Sequence, residues 1–291
     1  MVMTAHRLGI VASLAVGLVA GWPVAAAPAR IVSEGPALQF AATQLVVHSD
    51  RVGRDFLIKV SAPFAPVPAG ETRPVIYALD GGYEIAGPMG WVLGGAGGMA
   101  QAYIVSVGYL PVDFGKRETD LSHRPYVDGG RTAPAGGGAF EAFLLDELRP
   151  LIEGRYPIDA DQAVLFGHSL GGVFTANVLA AHPDAFRGYL IASPAVWTDP
   201  DLVERLAAAA NRGGGRRVYV AVGGAEAPRM LDGERRLVEA LTGPSSKLKV
   251  AGRVFEGGTH LSYYPMLIAT AFPWLLPALR PDGSSGSKVG R

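Results

Sequence analysis

The chain has 291 residues, of which 49% are hydrophobic and 18% are charged, and it contains no cysteine. This composition supplies a hydrophobic core for one large domain, and the lack of cysteine excludes disulfides, thiolate catalysis and zinc sites with cysteine ligands. Basic and acidic residues balance at 26 each, so no net charge attracts nucleic acid, and no nucleic-acid partner is expected.

The first 27 residues predict a secretory signal peptide. Arg7 supplies a positive charge, residues 8–20 form an apolar run, and residues 24–27 offer small side chains for cleavage. The alternative is an uncleaved membrane anchor. The expected location is therefore the periplasm or the outside of the cell, with no stable membrane partner once the signal is removed.

Residues 28–281 predict an α/β catalytic domain. The segments 44–48 and 56–62 predict an opening antiparallel pair of strands. Further strands and helices then alternate along the chain, which indicates a mostly parallel sheet of about eight strands with helices on both faces. The further strands are predicted at 75–79, 103–107, 163–166, 189–192, 218–222 and 250–255, and the helices at 139–151, 173–181, 202–210, 235–241 and 264–276.

Three segments interrupt or follow this alternation. Two are rich in glycine, at 94–98 and 129–138, and the second follows a polar segment at 116–128. A connection of that length predicts a functional loop or lid. Residues 282–291 are rich in glycine and serine and predict a disordered tail.

The strongest chemical signal is the segment Gly167-His168-Ser169-Leu170-Gly171, between a predicted strand and a predicted helix. It fits the G-x-S-x-G nucleophile elbow of the α/β-hydrolase fold, in which the serine occupies a sharp, strained turn. Side chains at the two glycine positions would collide with neighbouring backbone. We therefore predict this fold with Ser169 as nucleophile, against the alternative of a structural turn.

A serine nucleophile requires a base, which in this fold follows it along the chain. Two histidines do so. His182 ends the helix after the elbow and is predicted at the surface. His260 lies in a glycine-rich loop after the last strand, so we predict it as the base, against the alternative of an ordinary loop histidine.

The third member of the site is an acid that orients the base. Glu226 follows the strand 218–222, and it is the carboxylate nearest to the expected position. Asp232 and Glu234 are alternatives, although each could be a solvated charge at the start of a helix.

Acyl transfer also needs donors for the developing oxyanion. We predict the backbone N–H of Leu170 as one donor and that of Gly82, after strand 75–79, as the other. A glycine at position 82 could instead serve only a turn. No metal or other cofactor is expected, since this chemistry needs none.

Several motifs together resemble a known family. Residues 74–82, 106–109 and 117–121, the elbow, and residues 186–194 resemble, in that order, the Putative esterase family of α/β hydrolases. That family includes enterochelin (ferric siderophore) esterases, esterase D-like enzymes and, more distantly, mycolyltransferases. The resemblance covers about residues 75 to 260.

The resemblance implies Ser169 and His260 as the catalytic pair and Gly82 as an oxyanion donor, while the acid varies in the branch that includes siderophore esterases. Arg117 matches an arginine near the active site of that branch, which implies contact with an anionic or catecholate substrate. The alternative is an ion pair with Asp120. Aromatic candidates for substrate contact are Tyr83, which we favour, Trp91 and Tyr126.

These observations predict an exported serine esterase that acts on a small-molecule ester. The favoured substrate is an ester or lactone of a siderophore, followed by a general short-chain ester. The alternatives are acyl transfer to an alcohol and a binding module that has kept the fold without the reaction.

Overall fold

A computed structural model describes residues 42–80, 85–109 and 113–278. These residues belong to one compact unit, 38–291. The predicted signal peptide (1–27), the predicted tail (282–291), Gly82 and Tyr83 lie outside the described residues. The domain bounds 28–281 therefore stay a prediction.

A sheet of eight strands forms the centre of the domain, in the order β1-β2-β4-β3-β7-β8-β9-β10. The pairs β1–β2 and β2–β4 are antiparallel, and every other pair is parallel. The predicted mostly parallel sheet with an antiparallel opening is thus confirmed. Its strands are β1 (Ala42–Ser49), β2 (Arg54–Ser61), β3 (Arg73–Leu79), β4 (Tyr103–Tyr109), β7 (Ile158–His168), β8 (Gly188–Ala192), β9 (Arg217–Gly223) and β10 (Lys249–Phe255), while β5 (Tyr126–Asp128) and β6 (Arg131–Ala133) form a separate hairpin.

Helices cover both faces of this sheet. A π-helical segment, Phe143–Leu148, joins α3 to α4, and a short 3₁₀ helix, Val196–Thr198, follows β8. No helix among the described residues is both long and apolar enough to cross a membrane. The α-helices are α1 (Ala86–Gly95), α2 (Phe114–Asp120), α3 (Gly137–Ala142), α4 (Arg149–Arg155), α5 (Leu170–Ala181), α6 (Leu202–Ala209), α7 (Pro228–Leu241) and α8 (Tyr264–Leu275).

Alternate residues of the central strands separate two hydrophobic cores. In β3, Tyr77 packs into the core beneath α5, α6 and α7, and Ile76 packs into the opposite core beneath α1 and α8. Leu165 and Val164 of β7 divide in the same way. Because both faces are buried, these strands are apolar throughout, and this accounts for the unbroken apolar runs in the sequence.

Sequence patterns missed α1 and α2. Glycine is a poor helix former, so the glycine-rich α1 has no helical signal of its own. Tertiary contact favours glycine there, since a Cβ at Gly90 would lie 2.8 Å from the Ile104 side chain of β4. The helix therefore approaches the sheet more closely than a larger residue would allow.

The glycine-rich stretch 129–138 has defined structure. Gly129 and Gly130 form the turn of the β5–β6 hairpin with φ of 57° and 77°, which favours glycine. The stretch continues into α3, where a Cβ at Gly137 would lie 2.9 Å from His123. Part of the predicted loop is thus a hairpin and a helix start, and its role as a lid stays a prediction.

Candidate active site

Ser169 lies in a strained turn between β7 and α5, with φ of 60° and ψ of −119°. A Cβ at Gly167 would lie 1.9 Å from the carbonyl oxygen of Gly171. Any side chain there would prevent the turn, as the sequence motif predicts. The structure therefore contains the sharp strand-to-helix bend that presents a serine hydroxyl in this fold.

Strained residues cluster at the edge of the sheet that contains Ser169. Among the described residues, three that are not glycine have positive φ: Asp80, Ser169 and Ser193. They directly follow β3, β7 and β8, which are adjacent parallel strands. Each such conformation costs about 1–3 kcal/mol and persists where the surrounding structure imposes it, often at functional sites. The carboxyl ends of these strands therefore form the candidate site.

His260 and Glu226 meet at the same edge, on the loops after β10 and β9. His260 Nδ1 lies 2.6 Å from Glu226 Oε2, with the imidazole 43% and the carboxylate 2% exposed. Glycine at position 223 allows the two loops to approach closely, since a Cβ there would lie only 2.4 Å from the Gly258 carbonyl oxygen. Of the candidate acids, Glu226 is thus the one that the fold brings to His260.

Three donors hold the Glu226 carboxylate. Its Oε1 accepts hydrogen bonds from Ser193 Oγ at 2.5 Å and from the backbone N–H of Gly223 at 2.8 Å, while Oε2 faces His260. Burial raises the pKa of Glu226, but the hydrogen bonds from His260, Ser193 and Gly223 outweigh it and hold the pKa below its usual value. The acid is therefore ionised at neutral pH.

This network determines which imidazole nitrogen carries the proton. An ionised carboxylate only accepts hydrogen bonds, so His260 Nδ1 must donate to it. In the neutral ring, Nε2 is then the acceptor, as a general base requires. The tautomer is assigned from the hydrogen-bond partners.

His168 fastens the loop of His260 to the elbow. Its Nε2 lies 2.8 Å from the backbone oxygen of His260, and the two ring centroids are 4.4 Å apart. Because His168 directly precedes Ser169, this contact places the imidazole loop beside the serine. Within the described residues, no hydrogen bond joins Ser169 Oγ to His260. Such contacts are often long in a free enzyme and shorten with substrate.

His168 itself is not suited to transfer protons. Burial lowers its pKa to about 3, and the neighbouring His260 adds to the effect. The ring is therefore neutral at working pH, and Nε2–H donates to a carbonyl oxygen. His168 consequently acts as a fixed structural donor beside Ser169.

The predicted oxyanion donors can be compared with the structure only in part. Leu170 is buried and is the first residue of α5. The first N–H groups of a helix have no acceptor within it, so this position suits a donor to an anion. Gly82 lies outside the described residues and stays a prediction.

Arg117 pairs with Asp80, not with Asp120. Its Nε and Nη2 donate to the two Asp80 oxygens at 2.5 and 2.8 Å. Asp120 pairs instead with Arg54 of β2, so the alternative pairing of Arg117 is wrong. The helix α2 turns Arg117 toward β3 while Asp120 faces β2, a division that sequence spacing alone does not reveal. A substrate contact of Arg117 stays a prediction.

The other candidates lie in different surroundings. His182, at the end of α5, is half exposed and 3.0 Å from Glu141. Asp232 pairs with Arg235 on the exposed face of α7. Glu234 is buried against β10, where desolvation raises its pKa. We find no contact of these residues with His260 in the described part of the chain.

Sequence reasoning missed two hydroxyl residues of the site. Ser193 follows β8 and contacts Glu226, while the buried Tyr263 lies 2.6 Å from Ser193 Oγ. A signal was available for Ser193, since the Ser193-Pro194 pair follows an apolar strand at the same sheet edge as the elbow. No local pattern distinguishes Tyr263 from a core aromatic residue.

With this geometry established, comparison with known proteins identifies the family. The family model described as Putative esterase matches residues 49–269. The chain belongs to the Putative esterase family. Among its relatives, the ferri-bacillibactin esterase BesA of Bacillus subtilis is 33% identical over 261 residues, which cover 81% of this chain and 88% of the relative.

Two further similar proteins extend this result. The siderophore triacetylfusarinine C esterase of Aspergillus fumigatus is 30% identical over 166 residues, covering 53% of this chain and 56% of that protein. The crystal structure of the BES protein from Bacillus cereus superposes with a TM-score of 0.76 at 28% identity, covering 85% of this chain and 99% of that one. The α/β-hydrolase fold is thereby confirmed, and the chain is a carboxylic ester hydrolase.

Proposed function

We propose that this esterase hydrolyses siderophore esters through an acyl-enzyme on Ser169. The observation that carries the mechanism is the placement of the strained serine and the Glu226–His260 pair at the carboxyl ends of neighbouring parallel strands. A hydroxyl at its normal pKa is a weak nucleophile, and an imidazole in the correct tautomer supplies the missing base.

The proposed reaction has two steps. Ser169 Oγ attacks the ester carbonyl while His260 Nε2 takes its proton, and Glu226 stabilises the imidazolium that forms. The imidazolium then protonates the departing alcohol, which leaves an acyl group on Ser169. In the second step His260 removes a proton from water as the water oxygen attacks the acyl carbonyl, and the imidazolium then returns that proton to Ser169 Oγ as the ester bond breaks and the acid leaves. The N–H of Leu170 stabilises both oxyanions, together with the predicted donor at Gly82.

The substrate class is supported by relatives. Two relatives of 30% or more identity carry such names: the bacterial one is a ferri-bacillibactin esterase, and the fungal one is a siderophore triacetylfusarinine C esterase. The names of both relatives are consistent with a small-molecule ester as the substrate. We therefore propose an ester or lactone of a siderophore as the substrate.

Export is a separate proposal, and it is supported by the sequence alone. The positive residue, apolar run and small residues within positions 1–27 fit a cleaved signal peptide. Cell fractionation followed by intact-mass measurement tests it. A mature chain that begins at residue 27 or 28 outside the cytoplasm supports export, and a full-length cytoplasmic chain contradicts it.

Activity of Ser169→Ala tests the catalytic mechanism. We expect kcat on p-nitrophenyl esters and on a trilactone siderophore to fall by about 10⁴-fold or more, because the attacking atom is lost. A fluorophosphonate probe should label the wild type and not the variant. Ser122→Ala is the matched control, since this buried hydroxyl has no hydrogen-bond partner among the described residues.

Three results would contradict or narrow the proposal in different ways. Turnover by Ser169→Ala close to that of the wild type would exclude the serine mechanism. If an alcohol is added and a new ester forms faster than the substrate is hydrolysed, acyl transfer would be favoured instead. Hydrolysis of p-nitrophenyl esters without cleavage of the trilactone would restrict the function to a general esterase.

A further inference from the structure

Ser193 has a strained backbone and a buried side chain. Its φ is 41°, and it is fully buried at the end of β8. Its backbone N–H donates to the Ala221 carbonyl oxygen at 2.7 Å, which ties the residue to β9. The strain is of the kind found at functional positions, and at Ser169 it serves the nucleophile. The contacts of the Ser193 hydroxyl indicate the purpose of the strain at this position.

The hydroxyl of Ser193 joins two other groups in a fixed direction. Its Oγ lies 2.5 Å from Glu226 Oε1 and 2.6 Å from Tyr263 Oη. The serine has one proton, and the carboxylate can only accept, so Ser193 donates to Glu226. Tyr263 must then donate to Ser193. Burial raises the pKa of the Tyr263 phenol, which keeps that proton in place.

We propose that Tyr263 and Ser193 are positioning residues that act on the base through Glu226, an inference that rests on the proposed function. Ser193 O–H and Gly223 N–H converge on Oε1. The carboxylate is thereby held so that Oε2 faces His260 Nδ1. Tyr263 fixes the direction of the Ser193 proton. Neither hydroxyl exchanges a proton with substrate, so their loss acts on the base only through the Glu226 carboxylate.

A double-mutant cycle distinguishes this chain of donors from independent structural roles. Ser193→Ala removes a donor to Glu226, and we expect kcat to fall by about 10–100-fold with KM little changed. Tyr263→Phe leaves the Ser193 hydroxyl in place but allows it to rotate, and we expect kcat to fall by about 3–10-fold. Because Tyr263 acts through Ser193, the double variant should match Ser193→Ala within about twofold.

Matched controls separate positioning from stability. Tyr189→Phe removes another buried phenol, which donates to the His182 carbonyl oxygen at the far end of α5. We expect it to lower the melting temperature without lowering kcat. Ser122→Ala is the corresponding serine control.

Proton NMR of the imidazole supplies a readout that a structural role does not affect. The Nδ1–H proton of His260 should resonate at low field in the wild type and in both controls, because it is hydrogen-bonded to a carboxylate. It should shift upfield or broaden in Ser193→Ala. If Ser193→Ala does not fold, Tyr263→Phe supports the same measurement, since it retains the aromatic ring.

Three outcomes would overturn the inference. They are a Ser193→Ala enzyme with kcat within twofold of the wild type, additive losses in the double variant, and an unchanged Nδ1–H resonance in the variants. None of these affects the proposed function, which is tested separately by Ser169→Ala, by added alcohol and by cleavage of the trilactone. Loss of activity in Ser169→Ala with normal kcat in Ser193→Ala would therefore reject the positioning role alone.

Discussion

The two sides of the active-site edge are held by different kinds of contact. Around β3 and β4, ion pairs fasten α2 to the sheet: Arg117 with Asp80, and Arg54 with Asp120. Around β8, β9 and β10, Glu226 accepts hydrogen bonds from a hydroxyl, an amide and an imidazole. No lysine or arginine in the described part of the chain pairs with Glu226.

This difference shows how charge is placed in relation to the reaction. Asp80 already faces a permanent cation, so a new positive charge would gain little from it. Glu226 has no such partner among the described residues, and in the proposed mechanism its charge stabilises the imidazolium that forms on His260 only during the reaction. One side of the edge thus fixes helix α2 to the sheet, whereas the other side holds a carboxylate that can stabilise a new positive charge.

Among the variants that test this comparison, Glu226→Gln is expected to have the largest effect. Ser193 and Gly223 both donate toward Oε1, so the amide oxygen must occupy that position and the amide nitrogen must face His260. Nδ1 then becomes an acceptor and Nε2 carries the proton, which is the wrong tautomer for a base. We expect kcat/KM on a p-nitrophenyl ester to fall by about 1000-fold, or about 4 kcal/mol. A loss of less than about tenfold would contradict the role of Glu226.

Arg117→Met tests the ion-pair side. The variant leaves the buried Asp80 carboxylate without its bidentate partner, and we expect the free energy of unfolding to fall by about 3 kcal/mol in urea titrations. The double variant Asp80→Asn with Arg117→Met should recover much of that loss.

An exposed arginine provides the control for this experiment. Arg235 pairs with Asp232 and Glu239 at the surface of α7, so Arg235→Met should cost less than about 1 kcal/mol. Equal losses in both variants would show that the Arg117–Asp80 pair has no special role. A rise in KM for anionic esters alone in Arg117→Met would support the predicted substrate contact.

His168→Gln is expected to have the smallest effect. It changes the contact between the elbow at the end of β7 and the loop of His260. An unfolded chain protonates this histidine near its usual pKa of 6.5, whereas in the folded chain its pKa is about 3. Between these two pKa values the unfolded chain binds a proton that the folded chain does not. The free energy of unfolding therefore falls as the pH drops, by up to about 1.4 kcal/mol per pH unit. The glutamine amide can still donate to the His260 carbonyl oxygen but does not titrate.

Urea unfolding between about pH 4 and pH 6 measures this effect. The slope of stability against pH should be smaller in His168→Gln than in the wild type. An identical slope in the two proteins would show that His168 is protonated in the folded chain to the same extent as in the unfolded chain.

The sequence by itself determined the features that depend on neighbouring residues. Apolar runs placed the central strands because both of their faces are buried. Gly167 marked the elbow because the turn excludes a side chain there. The predicted collision with backbone is wrong for Gly171, where a Cβ would instead lie 3.0 Å from the Asp80 carboxylate. The positions of His260 and Glu226 after the last predicted strands favoured them over the other candidates, with Asp232 and Glu234 left open, and the fold brings His260 and Glu226 together.

The tertiary structure alone decided the partners of these groups. Ser193 and Tyr263 are 70 residues apart, and Asp80 and Arg117 are 37 apart. Such pairs depend on the order of strands in the sheet and on the direction in which each helix turns its side chains. Local periodicity carries neither kind of information, because it describes one element at a time and not how elements are packed together.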